Sequence, residues 1–115
     1  MEYARKPPVK FRYNSKVIMR SKIENGILTL FFEGGLNTFA AEAMEREIED
    51  ILEVGGFSYV VIDMADLSYV SSAGLRMIIA IRQRCGNVRL VNVGEDVFHV
   101  LNMVGFHRIL PIERK

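Results

Sequence analysis

A chain of 115 residues, 50% apolar and 25% charged, is long enough for one domain with a real core and lacks the apolar depletion that marks disorder. Its net charge of +1 singles out no charged partner, and one cysteine, Cys85, excludes an internal disulfide and fits a reducing cytoplasm. The longest apolar run, Met77 to Ile81, is far short of the about 20 residues a membrane-spanning helix needs, and the polar start through Pro7-Pro8 is unlike a secretory leader.

Residues 1–14 read as a basic N-terminal arm, since Arg5, Lys6, Lys10 and Arg12 stand against Glu2 alone and Pro7-Pro8 block regular structure. Phe11 and Tyr13 alternate with Lys10 and Arg12, so a short edge strand is the competing reading. A single domain is expected over residues 15–115. The arm offers charge to nucleic acid or an anionic membrane; a solvated tail is the simpler reading.

Val17 to Ile23 and Ile27 to Phe32 are strand-like runs joined through Asn25-Gly26, a pair that tolerates the positive φ angles of a type I′ turn. An antiparallel hairpin follows. In the second run Leu28, Leu30 and Phe32 share one face and Ile27, Thr29 and Phe31 the other, so cover on both faces is expected. Gly34-Gly35 is expected to end this strand. Asn37-Thr38 then opens a helix to about Val54, with Ala40, Ala41, Met44, Ile48, Ile51 and Leu52 as its apolar stripe and Gly55-Gly56 as its stop.

Tyr59 to Ile62 reads as a strand buried in a parallel sheet and ended by Asp63. A helix is expected from Leu75, with Leu75, Ile78 and Ile79 at helical spacing and Gly86 as its stop. Between them Ser71 and Ser72 sit where a helix has unpaired N–H donors. A phosphoryl group there adds roughly −1.5 to −2 charge, which the helix dipole tolerates. Serine also caps helices in any protein, a role that needs no modification. Met77, Ile81 and Met103 read either as core or as an exposed apolar rim beside the serines.

Val88 to Val93 forms another strand, and Gly94-Glu95-Asp96 opens a third helix with Val97, Val100, Leu101 and Val104 as its buried stripe. Gly105 ends that helix, and Ile109 to Ile112 read as a last strand. The order β-β-α-β-α-β-α-β implies an α/β fold, a mixed sheet with an N-terminal antiparallel hairpin and helices packed on it. Cys85, His99 and His107 share no metal-ligand spacing, and no phosphate-binding loop or nucleophile–base motif occurs. No catalytic residue, metal or cofactor is expected.

The run Asp66-Leu-Ser-Tyr-Val-Ser-Ser-Ala-Gly-Leu75 resembles the signature of the STAS domain, found in anti-sigma factor antagonists and sulfate transporters. Phe32-Glu-Gly-Gly-Leu-Asn-Thr38 resembles the family's other recognisable stretch. Asn37 and Ser71 each stand where the family commonly has Asp. The resemblance implies a STAS-like fold over Val17 to Ile112, without the helix that many members add after the last strand. It implies a cytoplasmic anti-sigma factor antagonist, monomeric when free, that binds an anti-sigma factor serine kinase of the GHKL type and releases the sigma factor. Phosphorylation at Ser72, with Ser71 as second choice, would switch it off, and a PP2C-type phosphatase would reset it. Asn37, Thr38, Ser71, Ser72, Ala73, Gly74, Leu75 and Arg76 would form the partner-binding surface, with no direct nucleic-acid or membrane role. The competing readings are a STAS regulatory subunit of a membrane transporter ATPase complex and a scaffold in a sensory assembly.

Overall fold

The computed structural model describes residues 9–13 and 17–115. Among the described residues six strands form one sheet whose spatial order equals their chain order: β1 (Val9–Tyr13), β2 (Val17–Glu24), β3 (Ile27–Leu36), β4 (Tyr59–Val70), β5 (Val88–Val93) and β6 (Ile112–Arg114). Strand β2 runs antiparallel to both β1 and β3, and β3 to β6 are parallel. Helices α1 (Thr38–Val54), α2 (Ser72–Cys85) and α3 (Glu95–Met103) make the parallel crossovers. No helix among the described residues is long and apolar enough to cross a membrane.

Each element has a local cause. Asn25 and Gly26 take φ angles of 55° and 77°, as the tight turn between β2 and β3 requires, and Glu24 pairs with Ile27 to close the hairpin. Asn37 and Ser71 cap α1 and α2, while Gly55 and Gly86 end them at positive φ.

The core is one cluster on one side of the sheet. Leu28, Val60 and Val88 stand in register across β3, β4 and β5, as do Leu30, Ile62 and Leu90. These residues are buried together with Ala40, Met44 and Ile48 of α1, Ile78 and Ile81 of α2, and Val97 and Leu101 of α3. Parallel crossovers are right-handed, and every step from β3 to β6 goes the same way, so all three helices fall on the same face. This corrects the expectation that both faces of β3 are covered. Ile27 is exposed, and Thr29 and Phe31 are only half-buried on the helix-free side.

Four boundaries differ from those expected, for identifiable reasons. Strand β3 runs through Gly34-Gly35 to Leu36, and β4 runs past Asp63 to Val70, because each supplies the other's hydrogen-bond partners, ending in the pair Leu36 and Val70. The glycines mark a register shift rather than an end, with Gly34 at φ 94°. Helix α2 starts at Ser72, three residues before Leu75, because Ser71 supplies the cap. The last strand is Ile112–Arg114, since Phe106 and Leu110 turn into the core through a short 3-10 segment, Phe106–Arg108. Phe106 takes the buried place expected for Val104, which is exposed.

Strand β1 pairs antiparallel with β2, from Val9 opposite Ser21 to Tyr13 opposite Val17. Within residues 9–13 the backbone therefore follows the edge-strand reading of the arm. Residues 1–8 and 14 of that arm lie outside the described residues.

Candidate functional site

Parallel neighbours β3 and β4 end at the same edge of the sheet, and each passes directly into a helix. Leu36 leads through Asn37 into α1, and Val70 leads through Ser71 into α2. The Ser71 amide donates to the Leu36 carbonyl at 2.8 Å, which sets the two helix starts side by side. The caps are built alike. Asn37 Oδ1 accepts from the Ala40 amide at 2.8 Å, and Ser71 Oγ accepts from the Gly74 amide at 3.1 Å, both from extended backbone. Two adjacent N-termini with oriented N–H groups favour negative charge at this edge.

The two serines differ in what their hydroxyls are free to do. Ser71 is 6% exposed, and its oxygen is engaged as the cap. Ser72, the first residue of α2, is exposed and makes no side-chain hydrogen bond among the described residues. A modifying group can reach the second hydroxyl but not the first without opening the cap.

The surrounding signature holds this edge in place. Leu67 and Val70 are buried, and the Ser68 hydroxyl donates to the Gly34 carbonyl at 3.2 Å, tying β4 to β3. Ala73 and Gly74 are buried against the sheet end. A Cβ on Gly74 would lie 2.8 Å from Val70 Cγ2 and 2.9 Å from Leu36 Cδ2, so the close approach of α2 requires glycine there. Leu75 is half-buried, while Asn37, Thr38 and Arg76 are exposed. Arg76 makes no ion pair among the described residues.

The choice between core and rim left open for Met77, Ile81 and Met103 falls differently for the three. Met77 and Ile81 are buried core residues on the side of α2 that faces α1, whereas Met103 is 71% exposed on α3. Exposed apolar surface at the site edge comes instead from Phe39, 67% exposed, and Tyr69, 54% exposed. Sequence reasoning passed over both. Phe39 falls off the α1 stripe, and Tyr69 sits outward beside inward Val70, signals that were readable once β4 was extended to Val70.

Elsewhere the groups are less suited to chemistry. No cluster of three or more His, Cys, Asp or Glu side chains occurs among the described residues, and His99 and His107 are exposed. Cys85 lies at the far end of α2, its thiol pKa pushed up by burial against the opposing pull of Arg84. Arg84 bridges Glu53 and Glu49 of α1, and these hydrogen bonds hold its guanidinium above the ordinary arginine range.

Comparison with known proteins agrees with this architecture. Residues 19–115 match the STAS domain family model. BtrV of Bordetella bronchiseptica, provisionally named an anti-sigma factor antagonist, is 33% identical over 92 residues, covering 76% of this chain and 78% of that protein. An anti-sigma factor antagonist from Mycobacterium paratuberculosis has the same fold, with a TM-score of 0.78 at 16% identity over 91% of this chain and 92% of that one. SpoIIAA in its unphosphorylated form superimposes with a TM-score of 0.72 at 15% identity over 82% of this chain and 86% of its own. Its phosphorylated form, from Bacillus, gives a TM-score of 0.64 at 14% identity over 82% and 89%. With the family match spanning nearly the whole described chain and the parallel β3–β4 edge in the arrangement its signature implies, this protein belongs to the STAS domain family.

Proposed function

We propose that this protein is an anti-sigma factor antagonist, a binding module rather than an enzyme, whose switch is phosphorylation of Ser72. The single observation that carries the site assignment is the division between the serines, one buried as a cap and one exposed with a free hydroxyl. The names of its relatives support the wider role. In its unmodified form the protein binds an anti-sigma factor serine kinase of the GHKL type through the edge formed by Asn37, Thr38 and Ser71 to Arg76, and so releases the sigma factor in the cytoplasm. The kinase uses ATP to modify Ser72, and a PP2C-type phosphatase restores the hydroxyl.

The physics of the switch is local. A phosphoryl group adds roughly −1.5 to −2 charge, which two helix N-termini accommodate in the free protein. At the centre of a packed interface the same charge must be desolvated, so affinity falls without a change of fold.

The test is intact mass before and after incubation with ATP and the GHKL-type kinase encoded nearest to this gene, with Ser72→Ala and Ser71→Ala alongside. One phosphoryl group gained by the wild type and lost only in Ser72→Ala is the expected result. No modification of either serine would sink the switch and leave the transporter-subunit or scaffold reading in its place.

A further inference from the structure

Beside Ser72, helices α1 and α2 do not close on each other. They leave a groove of about 330 Å³ whose floor is the buried Ala41, Ala73 and Met77 and whose rim is the exposed Glu42, Glu45 and Arg76. Alanine side chains are too short to fill the space between two helices, which is why the groove is open. Its charges are also unspent. Glu42, Glu45 and Arg76 make no hydrogen bond or ion pair among the described residues, whereas farther down the same two helices Arg84 engages both Glu49 and Glu53.

We propose that this groove is a second contact with the kinase, receiving an arginine or lysine side chain of that partner beside Glu42 and Glu45. The inference rests on the switch reading, because the groove begins at Ala73, the residue after Ser72, next to the hydroxyl that the kinase modifies. The chemistry of the occupant follows from the lining. Glu42 and Glu45 lie three residues apart, on one face of α1, so two carboxylates converge on the same space. A basic side chain lays its apolar stem on the alanine floor and its charged head between them. An acidic side chain would find only Arg76 to pair with while facing both carboxylates, and a purely apolar one would leave both carboxylates without a partner.

Calorimetric titration of the full chain with the GHKL-type kinase encoded nearest to its gene tests this, using wild type, the double variant Glu42→Gln/Glu45→Gln, Ser72→Asp, and Asp50→Asn as a control acid of α1 outside the groove. The double variant is expected to bind at least tenfold more weakly, with a shallower dependence on salt, and to melt at the wild-type temperature because neither carboxylate has a partner to lose. Asp50→Asn should match wild type. Binding of the double variant within twofold of wild type, with Ser72→Asp still impaired, overturns the groove and leaves the switch standing. Wild type that fails to bind, or Ser72→Asp that binds equally well, overturns the switch and the groove together.

Discussion

The Ser71 amide donates to the Leu36 carbonyl at 2.8 Å while the Ser71 hydroxyl accepts from the Gly74 amide at 3.1 Å, so one residue joins the end of β3 to the start of α2. Its neighbour Ser72 carries none of this. Replacing Ser71 by Ala removes the cap and should cost about 1 kcal/mol, whereas Ser72→Ala should stay within about 0.5 kcal/mol of wild type. Urea unfolding midpoints of the two variants measure the difference, and equal midpoints would show that the cap is not what distinguishes them.

Gly74 tolerates no side chain. Alanine gains helix propensity, yet its Cβ would meet Val70 and Leu36 inside 3 Å, and both belong to the buried core. Overpacking exceeds the gain, so Gly74→Ala should lose about 1–2 kcal/mol. Gly35→Ala is the contrast, because its Cβ would meet Tyr69 at an ordinary 3.6 Å. Chemical denaturation of both ranks them, and a Gly74 variant as stable as wild type would refute the close approach.

Phe106 was absent from the expected core, yet it is buried beside Leu110, while Met103 nearby is exposed. Phe106→Ala should cost about 3–5 kcal/mol. Met103→Ala should cost less than about 0.5 kcal/mol. Thermal melting of the pair checks which of the two apolar residues closes the end of α3.

Burial raises the Cys85 pKa, so its thiolate forms at higher pH in the folded chain than in the unfolded one. Since folding favours the protonated thiol, its contribution to stability is complete below the unfolded thiol pKa and lost as pH rises through the folded one. Alkylation by iodoacetamide followed against pH should show a native midpoint displaced upward from that in urea. Coincident midpoints would remove the burial argument.

The hairpin, the first two helices and the parallel strands were legible because their signals are local: Asn25-Gly26 for the turn, Asn37 for the first cap, helical spacing from Leu75 for the second helix, short β-branched runs for the strands. Boundaries set by a distant partner were not. Gly34-Gly35 reads as a stop until β4 is alongside to pair with it, and Asp63 reads as a stop until β3 and β5 flank it. The site followed the same division. The resemblance ranked Ser72 ahead of Ser71, but that the sheet edge buries one hydroxyl and leaves the other exposed was not readable from the local pattern. Met77 and Ile81 were ambiguous because α2 is apolar on more than one side, and which side is buried depends on where the strands and α1 lie.

Because the strands lie side by side in the order in which they occur along the chain, none has to be threaded between two that are already paired. The sheet can grow by addition at one edge as the polypeptide leaves the ribosome, each new strand meeting a finished neighbour. The edge bearing Asn37 and Ser72 is then complete once β4 and α2 have docked, before β5, α3 and β6 are added. Truncation from the C-terminal side would strip β6, α3 and β5 from the far edge before it reached either helix start.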